Sequence, residues 1–168
     1  MSQNGRINLM RRGLKILFAL CAGLLTACAR SGEGDRLPDV RLPTYAAQQS
    51  SSLSACGARK CLTVYVAPWC HYCRESTPML LALRDYLGQR GVETRFVVGK
   101  DALTALRDYA RVFGPGTMLD VHDALEVGGV PHFLVSDDRG FILKEISGIP
   151  AGATDLSLEE VAASFGLP

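Results

Sequence analysis

The sequence lacks several features that would place it in common functional classes. Its 18 Lys and Arg residues balance 17 Asp and Glu residues, for a net charge of +1, so nothing points to nucleic acid as a partner. No internal repeat is visible. The apolar run at residues 16–25 is shorter than the roughly 20 residues that a helix needs to span a membrane. Only one Cys-x-x-Cys pair is present, which excludes a zinc site built from two such pairs.

The N-terminal residues have the pattern of an export signal. Arg11, Arg12 and Lys15 precede the apolar run, and small residues follow it up to Cys28. A basic region, a short apolar region and a small-residue cleavage site are typical of a secretory signal peptide. We therefore expect residues 1–27 to be a signal. The alternative, an uncleaved anchor helix, is disfavoured by the shortness of the run.

The end of this signal resembles the lipobox of bacterial lipoproteins, in the stretch Leu25-Thr26-Ala27-Cys28. The resemblance implies cleavage before Cys28 and acyl chains on that cysteine, and two or more chains hold a protein stably at a membrane. Ala29 resembles the residue that follows the cysteine in outer-membrane lipoproteins. The expected location is the periplasmic side of a bacterial membrane, with the outer membrane favoured.

The remaining chain divides by composition into two parts. Residues 28–52 include many Gly, Pro, Ser, Gln and charged residues, which predicts a flexible tether, with residues 40–45 as a candidate extra strand. Residues 53–168 are long enough for one domain.

Hydrophobic periodicity predicts alternating strands and helices in this domain. Strands are expected at residues 62–66, 92–98, 132–135 and 141–146, and helices at residues 75–90, 101–113, 119–127 and 154–165. Asp101 is the expected N-cap of the second helix, whose inward residues are Leu103, Leu106, Tyr109 and Ala110. Alternation followed by a strand hairpin predicts an α/β fold, a central mixed sheet with helices on both faces.

The stretch Trp69-Cys70-His71-Tyr72-Cys73 lies at the junction of the first strand and the first helix. A sulfur at a helix N-terminus has a lowered thiol pKa, and a second sulfur within reach allows a disulfide to open and close. Half of a structural zinc site is the alternative for an isolated pair of this kind.

The chain resembles the thioredoxin superfamily over roughly residues 53–167. The resemblance depends on four positions in the expected order: Trp69 before the first cysteine, Pro78 in the first helix, Gly129-Val130-Pro131, and Ser147-Gly148. It implies a thioredoxin-like fold, with Cys70 as nucleophile, Cys73 as resolving cysteine and a cis Pro131. It also implies that the Val130 backbone pairs with substrate and that Trp69 lies on the binding rim.

The function implied is that of an enzyme, an envelope thiol:disulfide oxidoreductase without cofactor or metal. Its partners would be client proteins and an envelope redox partner, and the direction of electron flow stays open. Val64 stands where thioredoxin has a buried aspartate, so a general reductant of that type is disfavoured. His71 and Tyr72 are the expected modifiers. His71 either stabilises the Cys70 thiolate or points to solvent.

Cys56 and Cys61 form the second expected disulfide if Cys70 pairs with Cys73. A structural staple is the favoured interpretation in an oxidising compartment, and a second redox pair that exchanges with Cys70–Cys73 is the alternative.

Two other functional classes stay open. Cys70, Cys73 and a histidine would suit a soft metal such as copper, which predicts a lipid-anchored metal-binding or delivery module. His132 follows Pro131 and lies either close to the dithiol or turned away from it. A structural lipoprotein whose dithiol no longer functions is the third class.

Overall fold

The structure, a computed structural model, describes residues 35–46, 50–150 and 155–168. The predicted signal at residues 1–27 and Cys28 lie outside the described residues. None of the helices in these three ranges is long and apolar enough to cross a membrane.

The described residues form the strands β1 Arg41–Pro43, β2 Ser50–Ser52, β3 Lys60–Val66, β4 Glu93–Gly99, β5 Met118–Asp120, β6 His132–Asp137 and β7 Ile142–Ser147. The last five form the mixed sheet that organises the domain, in the order β5-β4-β3-β6-β7. The central strand β3 pairs in parallel with β4 and antiparallel with β6, while β4 and β5 pair in parallel. Strands β6 and β7 form the antiparallel hairpin that the sequence predicted.

Helix α1 spans His71–Gly88 and contains Pro78, α2 spans Leu103–Ala110, and α3 spans Leu158–Ser164. Ser157 and Glu160 form a capping box at the start of α3. The predicted N-cap of α2 is wrong. Asp101 accepts a hydrogen bond from the neighbouring Ala102 N–H (2.7 Å), and Ala102 takes the N-cap position without a side-chain bond.

Leu103 was expected to face inward, but it is exposed in the first turn of α2. Leu106 and Ala110 are buried as predicted, and Tyr109 is half-buried. The buried side of the short helix α2 therefore starts one turn later than the periodicity suggested.

No helix forms at residues 119–127, so that prediction is wrong. Residues Met118–Asp120 instead form the edge strand β5. The buried Asp120 carboxylate then accepts hydrogen bonds from the N–H groups of Ala124 (2.7 Å) and Leu125 (3.0 Å). Asp123 has a φ of 51°, outside the right-handed helical region. Local side-chain bonding of this kind competes with helix formation.

The sheet separates two core clusters. Side chains from α1, α2 and α3 all pack in the first, on the face that carries Val64, Phe96 and Phe133. The second lies on the face of Tyr65 and Val97, and its other members include Leu37, Leu42, Leu53 and Leu125. The sequence predicted helices on both faces. In the described residues the second face is covered by irregular chain, which includes residues 121–127, and by a short antiparallel pair of strands.

The flexible-tether prediction is wrong for residues 35–46 and 50–52. Strand β1 (Arg41–Pro43) pairs with β2 (Ser50–Ser52), which confirms the candidate extra strand within residues 40–45. Leu37 and Leu42 are 2% and 5% exposed. The burial of these apolar side chains offsets the entropy cost of ordering the segment, which composition alone does not show.

A buried polar contact joins the ends of the three parallel strands β3, β4 and β5. The loop that contains the dithiol follows the end of β3. Tyr65 of β3 donates a hydrogen bond to the Asp120 carboxylate (3.2 Å), and both side chains are at most 1% exposed. Burial raises the pKa of the Tyr65 phenol, and the Asp120 charge raises it further. Gly99 of β4 makes room for the phenol, since a Cβ there would lie in direct conflict with the Tyr65 hydroxyl.

Replacing Gly99 tests this close approach. Gly99→Ala should reduce the free energy of unfolding by about 1–3 kcal/mol, the usual cost of forcing an extra methyl group into a packed core. Gly88→Ala, at a helical position with open space around it, is the matched control and should be neutral or slightly stabilising. Urea unfolding of both variants measures the difference. Equal stability of the two would contradict the proposed packing.

Candidate active site

Cys70 occupies the N-cap position of α1, directly after the loop that leaves β3. Its sulfur accepts a hydrogen bond from the backbone N–H of Cys73 (3.1 Å). The free N–H groups and the partial positive charge at a helix N-terminus stabilise a thiolate in this position. This arrangement explains why α1 begins at His71, four residues before the predicted start.

Cys70 and Cys73 form a disulfide, with Cα atoms 5.2 Å apart. Cys70 is 4% exposed and Cys73 is fully buried, so the first sulfur is the more accessible, although the difference is small. Val64, at the position of thioredoxin's aspartate, is buried in the same cluster as Cys73. This position of the cluster therefore has an apolar side chain and no carboxylate, as the sequence predicted.

The loop before β6 lies against the disulfide. The Val130–Pro131 peptide is cis, which confirms the prediction, and the Val130 carbonyl oxygen lies 3.5 Å from Cys70 Sγ. The Pro131 carbonyl accepts a hydrogen bond from the Gly148 N–H (2.7 Å), and Gly148 has a φ of +84°, which favours glycine. Two of the segments that carry the resemblance to thioredoxins thus meet, and the one that contains Val130 lies beside Cys70.

Trp69 and Tyr72 form an exposed aromatic rim, with 58% and 66% of their surfaces accessible. The Trp69 indole N–H donates to the Lys100 carbonyl (2.8 Å) in the loop after β4, where Lys100 has a φ of 61°. The side chain of His71 is exposed, and its Nε2 lies 3.1 Å from a Glu75 carboxylate oxygen. The position of His71 therefore matches the solvent-facing alternative.

His132 lies on the sheet face opposite the dithiol. It pairs with Tyr65 in the β3–β6 ladder, and Tyr65 belongs to the second core cluster, whereas the two cysteines belong to the first. Among the described residues no histidine approaches the two sulfurs closely enough to complete a three-ligand site. The structure does not assemble the copper site considered from the sequence.

The structure places two further residues near the dithiol that the sequence did not connect with it. Thr77 donates a hydrogen bond to the Cys73 carbonyl (2.9 Å), and the Tyr109 hydroxyl of α2 lies 3.0 Å from the Thr77 hydroxyl. Burial raises the pKa of Tyr109. The position of Thr77 one turn after Cys73 was visible in the sequence, but its link to Tyr109 depends on the packing of α1 against α2.

The second disulfide joins Cys56 to Cys61, as expected. Cys61 lies at the start of β3 and Cys70 follows its end, so about 17 Å of strand separates the two disulfides. A carboxylate oxygen of Glu93 lies within 4.8 Å of both sulfurs, and Glu93 also accepts a hydrogen bond from the Gly57 N–H (2.7 Å). One disulfide therefore lies at a helix N-terminus and the other lies next to a negative charge.

Comparison with known proteins identifies the class to which this geometry belongs. The redoxin family model matches residues 32–156, about three quarters of the chain. The chain belongs to the redoxin family. It is accordingly an oxidoreductase, as the sequence predicted. No curated protein matches the sequence significantly.

Solved structures share the fold at low sequence identity. The thioredoxin domain of a thiol-disulfide oxidoreductase from Bacteroides vulgatus is 21% identical, with a TM-score of 0.59 over 80% of this chain and 98% of that one. The exposed lipoprotein thioredoxin Etrx1 of Streptococcus pneumoniae is 16% identical, with a TM-score of 0.61 over 77% and 98%.

A third structure, a secreted disulfide oxidoreductase of Mycobacterium tuberculosis, is 15% identical, with a TM-score of 0.56 over 76% and 95%. At these identities the likeness establishes the fold. The thioredoxin-like α/β fold with a central mixed sheet is thereby confirmed.

The Glu93 carboxylate should slow the reduction of the Cys56–Cys61 disulfide. A negative charge beside the sulfurs repels an attacking thiolate and disfavours the departing one, so Glu93→Gln should speed reduction by a dithiol about two- to tenfold. The measurement is thiol trapping and mass spectrometry in a Cys70→Ser/Cys73→Ser background. Glu126→Gln, at an exposed position, is the control and should leave the rate unchanged. An unchanged rate in Glu93→Gln would show that this charge does not protect the disulfide.

Proposed function

We propose that this protein is an extracytoplasmic thiol:disulfide oxidoreductase that exchanges disulfides with client proteins through Cys70 and Cys73. The observation that carries the proposal is the position of Cys70 Sγ. It accepts the Cys73 N–H at the start of α1 and lies 3.5 Å below the Val130 carbonyl, beside the cis Pro131. A sulfur activated by a helix terminus and placed beside the backbone of the cis-proline loop is suited to attack a disulfide in an extended peptide.

In the reducing direction the Cys70 thiolate attacks one sulfur of a client disulfide. A Cys70–client bond forms as the client disulfide breaks, and the second client sulfur leaves as a thiolate that takes up a proton. The Cys73 thiol then loses its proton and attacks Cys70 Sγ, which releases the client dithiol and restores the disulfide. A redox partner returns two electrons to the pair. The same steps in reverse oxidise a client dithiol.

Client polypeptide is proposed to dock beside Val130, with its backbone pairing to the segment before β6. Trp69 and Tyr72 flank the dithiol and are exposed, so they offer apolar area and polar edges to a client. The hydrogen bond from Trp69 to Lys100 holds the indole ring in one orientation at this rim.

Thiolate stabilisation is assigned to the helix N-terminus and not to His71. The exposed His71 ring is directed to Glu75, with Nε2 3.1 Å from a carboxylate oxygen. The Cys73 N–H, by contrast, contacts the Cys70 sulfur directly. His71→Ala would therefore leave the Cys70 thiol pKa nearly unchanged in this mechanism.

The proposal also includes export and lipid attachment at Cys28. Support comes from the basic and apolar pattern of residues 1–27 and the stretch Leu25-Thr26-Ala27-Cys28. The solved structures of similar fold include an exposed lipoprotein and a secreted oxidoreductase. A position on the periplasmic side of the outer membrane fits Ala29 after the cysteine.

Cysteine variants test the chemical roles. Cys70→Ser should abolish reduction of insulin disulfides by dithiothreitol, whereas Cys73→Ser should accumulate a mixed disulfide with substrate, because only the resolving step is lost. Cys56→Ala/Cys61→Ala is the matched control and should retain the activity. The equilibrium potential against glutathione then gives the direction, since about −120 mV indicates an oxidase and about −270 mV a reductant. Activity retained in Cys70→Ser would refute the assignment.

Metabolic labelling with palmitate in a bacterial host tests lipid attachment. The full chain should incorporate label and partition into the detergent phase of Triton X-114, because acyl chains on Cys28 would hold it at a membrane. Cys28→Ala should lose both properties, and Cys21→Ala, within the predicted signal, should keep them. Label that persists in Cys28→Ala would place the lipid elsewhere.

A further inference from the structure

His132 is a buried histidine with a partner on each ring nitrogen. Its side chain is 2% exposed, and it is the first residue of β6, directly after the cis Pro131. Nδ1 lies 2.8 Å from the Ser147 hydroxyl, and Nε2 lies 2.9 Å from a Glu145 carboxylate oxygen. Both partners belong to the neighbouring strand β7, where they are exposed.

The donors and acceptors of this network match a neutral ring. A carboxylate can only accept, so Nε2 carries the hydrogen and donates it to Glu145, and Nδ1 accepts from the Ser147 hydroxyl. Burial lowers the pKa of His132, and the Glu145 charge opposes this without reversing it. A neutral ring with its hydrogen on Nε2 therefore has a partner for each nitrogen.

This network lies beside the hydrogen bond that orients the cis-proline loop. Ser147 pairs with His132 across the β6–β7 ladder, and the next residue, Gly148, donates its N–H to the Pro131 carbonyl (2.7 Å). Pro131 follows Val130, whose carbonyl lies 3.5 Å from Cys70 Sγ. The His132 side chain, on one face of the sheet, thus contacts the end of β7 that hydrogen-bonds to Pro131. The dithiol lies on the other face.

We propose that His132 is a positioning residue for client binding, which holds the Val130–Pro131 segment in place over Cys70 through Ser147 and Glu145. The inference rests on the proposed function, because it assigns a role in docking clients of that reaction. The His132 side chain touches neither sulfur of the dithiol. Its loss should weaken client binding while the chemistry of Cys70 stays intact.

The kinetic test uses single variants on the exposed side of the network. Ser147→Ala and Glu145→Gln remove or weaken one bond each at positions where the fold tolerates change. Each should raise KM for a peptide disulfide about three- to tenfold, the range expected from one hydrogen bond. The kcat should stay within a factor of two, and the pH dependence of Cys70 alkylation should not move. Glu126→Gln is the charge control.

A double-mutant cycle identifies His132 as the centre of the network. His132→Phe should raise KM at least as much as either single variant, and adding Ser147→Ala to it should cause no further change, because their shared bond is already lost. His132→Gln, whose side-chain amide can still donate toward Glu145, should recover part of the affinity. Additive effects of His132→Phe and Ser147→Ala would overturn the proposal.

A measurement without turnover separates this inference from the proposed function. Amide hydrogen exchange of Gly148 in the oxidised protein should be about tenfold faster in Ser147→Ala than in the wild type, since the bond to Pro131 loses its neighbouring anchor. If the wild type showed no oxidoreductase activity but Gly148 exchange responded, the proposed function would fail while the anchoring held. Unchanged Gly148 exchange together with unchanged KM would overturn the role of His132.

Discussion

The hydrogen bond from the Cys73 N–H to the Cys70 sulfur is the contact on which the candidate site depends. It requires a helix that begins directly after Cys70 and a strand that delivers Cys70 to that point. The strand end is held by the contact of Tyr65 with Asp120 and by the absence of a side chain at Gly99. The polar contacts on one face of the sheet thus fix where a sulfur lies on the other face.

The two disulfides have different surroundings, which support the different roles proposed for them. Cys70–Cys73 lies at a helix N-terminus beside the cis-proline loop, where a thiolate would be stabilised. Cys56–Cys61 lies at the other end of β3 beside a carboxylate, where a thiolate is disfavoured. Their separation along β3 argues against direct exchange between them within one molecule, which favours a structural role for Cys56–Cys61.

Prediction from sequence worked where the signal was local. The apolar pattern of β3, the periodicity of α1 and the turn residues of the β6–β7 hairpin each depend on neighbours in the chain. The prediction failed at residues 119–127 for two reasons. Residues 118–120 pair with β4 as a strand, and the buried Asp120 carboxylate accepts hydrogen bonds from two backbone N–H groups. It failed for residues 35–46 because Leu37 and Leu42 find apolar surface that only the assembled sheet provides.

The hydrogen bonds of His132 could not be predicted from the sequence, for a different reason. An ideal two-residue hairpin at Asp138 and Arg139 would place His132 opposite Glu145. The turn instead has three residues between Asp137 and Phe141, and a bulge follows between Val135 and Ser136, so the register shifts by one residue at each and His132 lies opposite Ser147. The sequence alone determined the dithiol, the strand-to-helix junction at which it lies and the proline of the loop beside it, because each is a short motif. Only the tertiary structure decided which sheet face each histidine occupies and what surrounds each disulfide, since both depend on register and on packing between residues far apart in the chain.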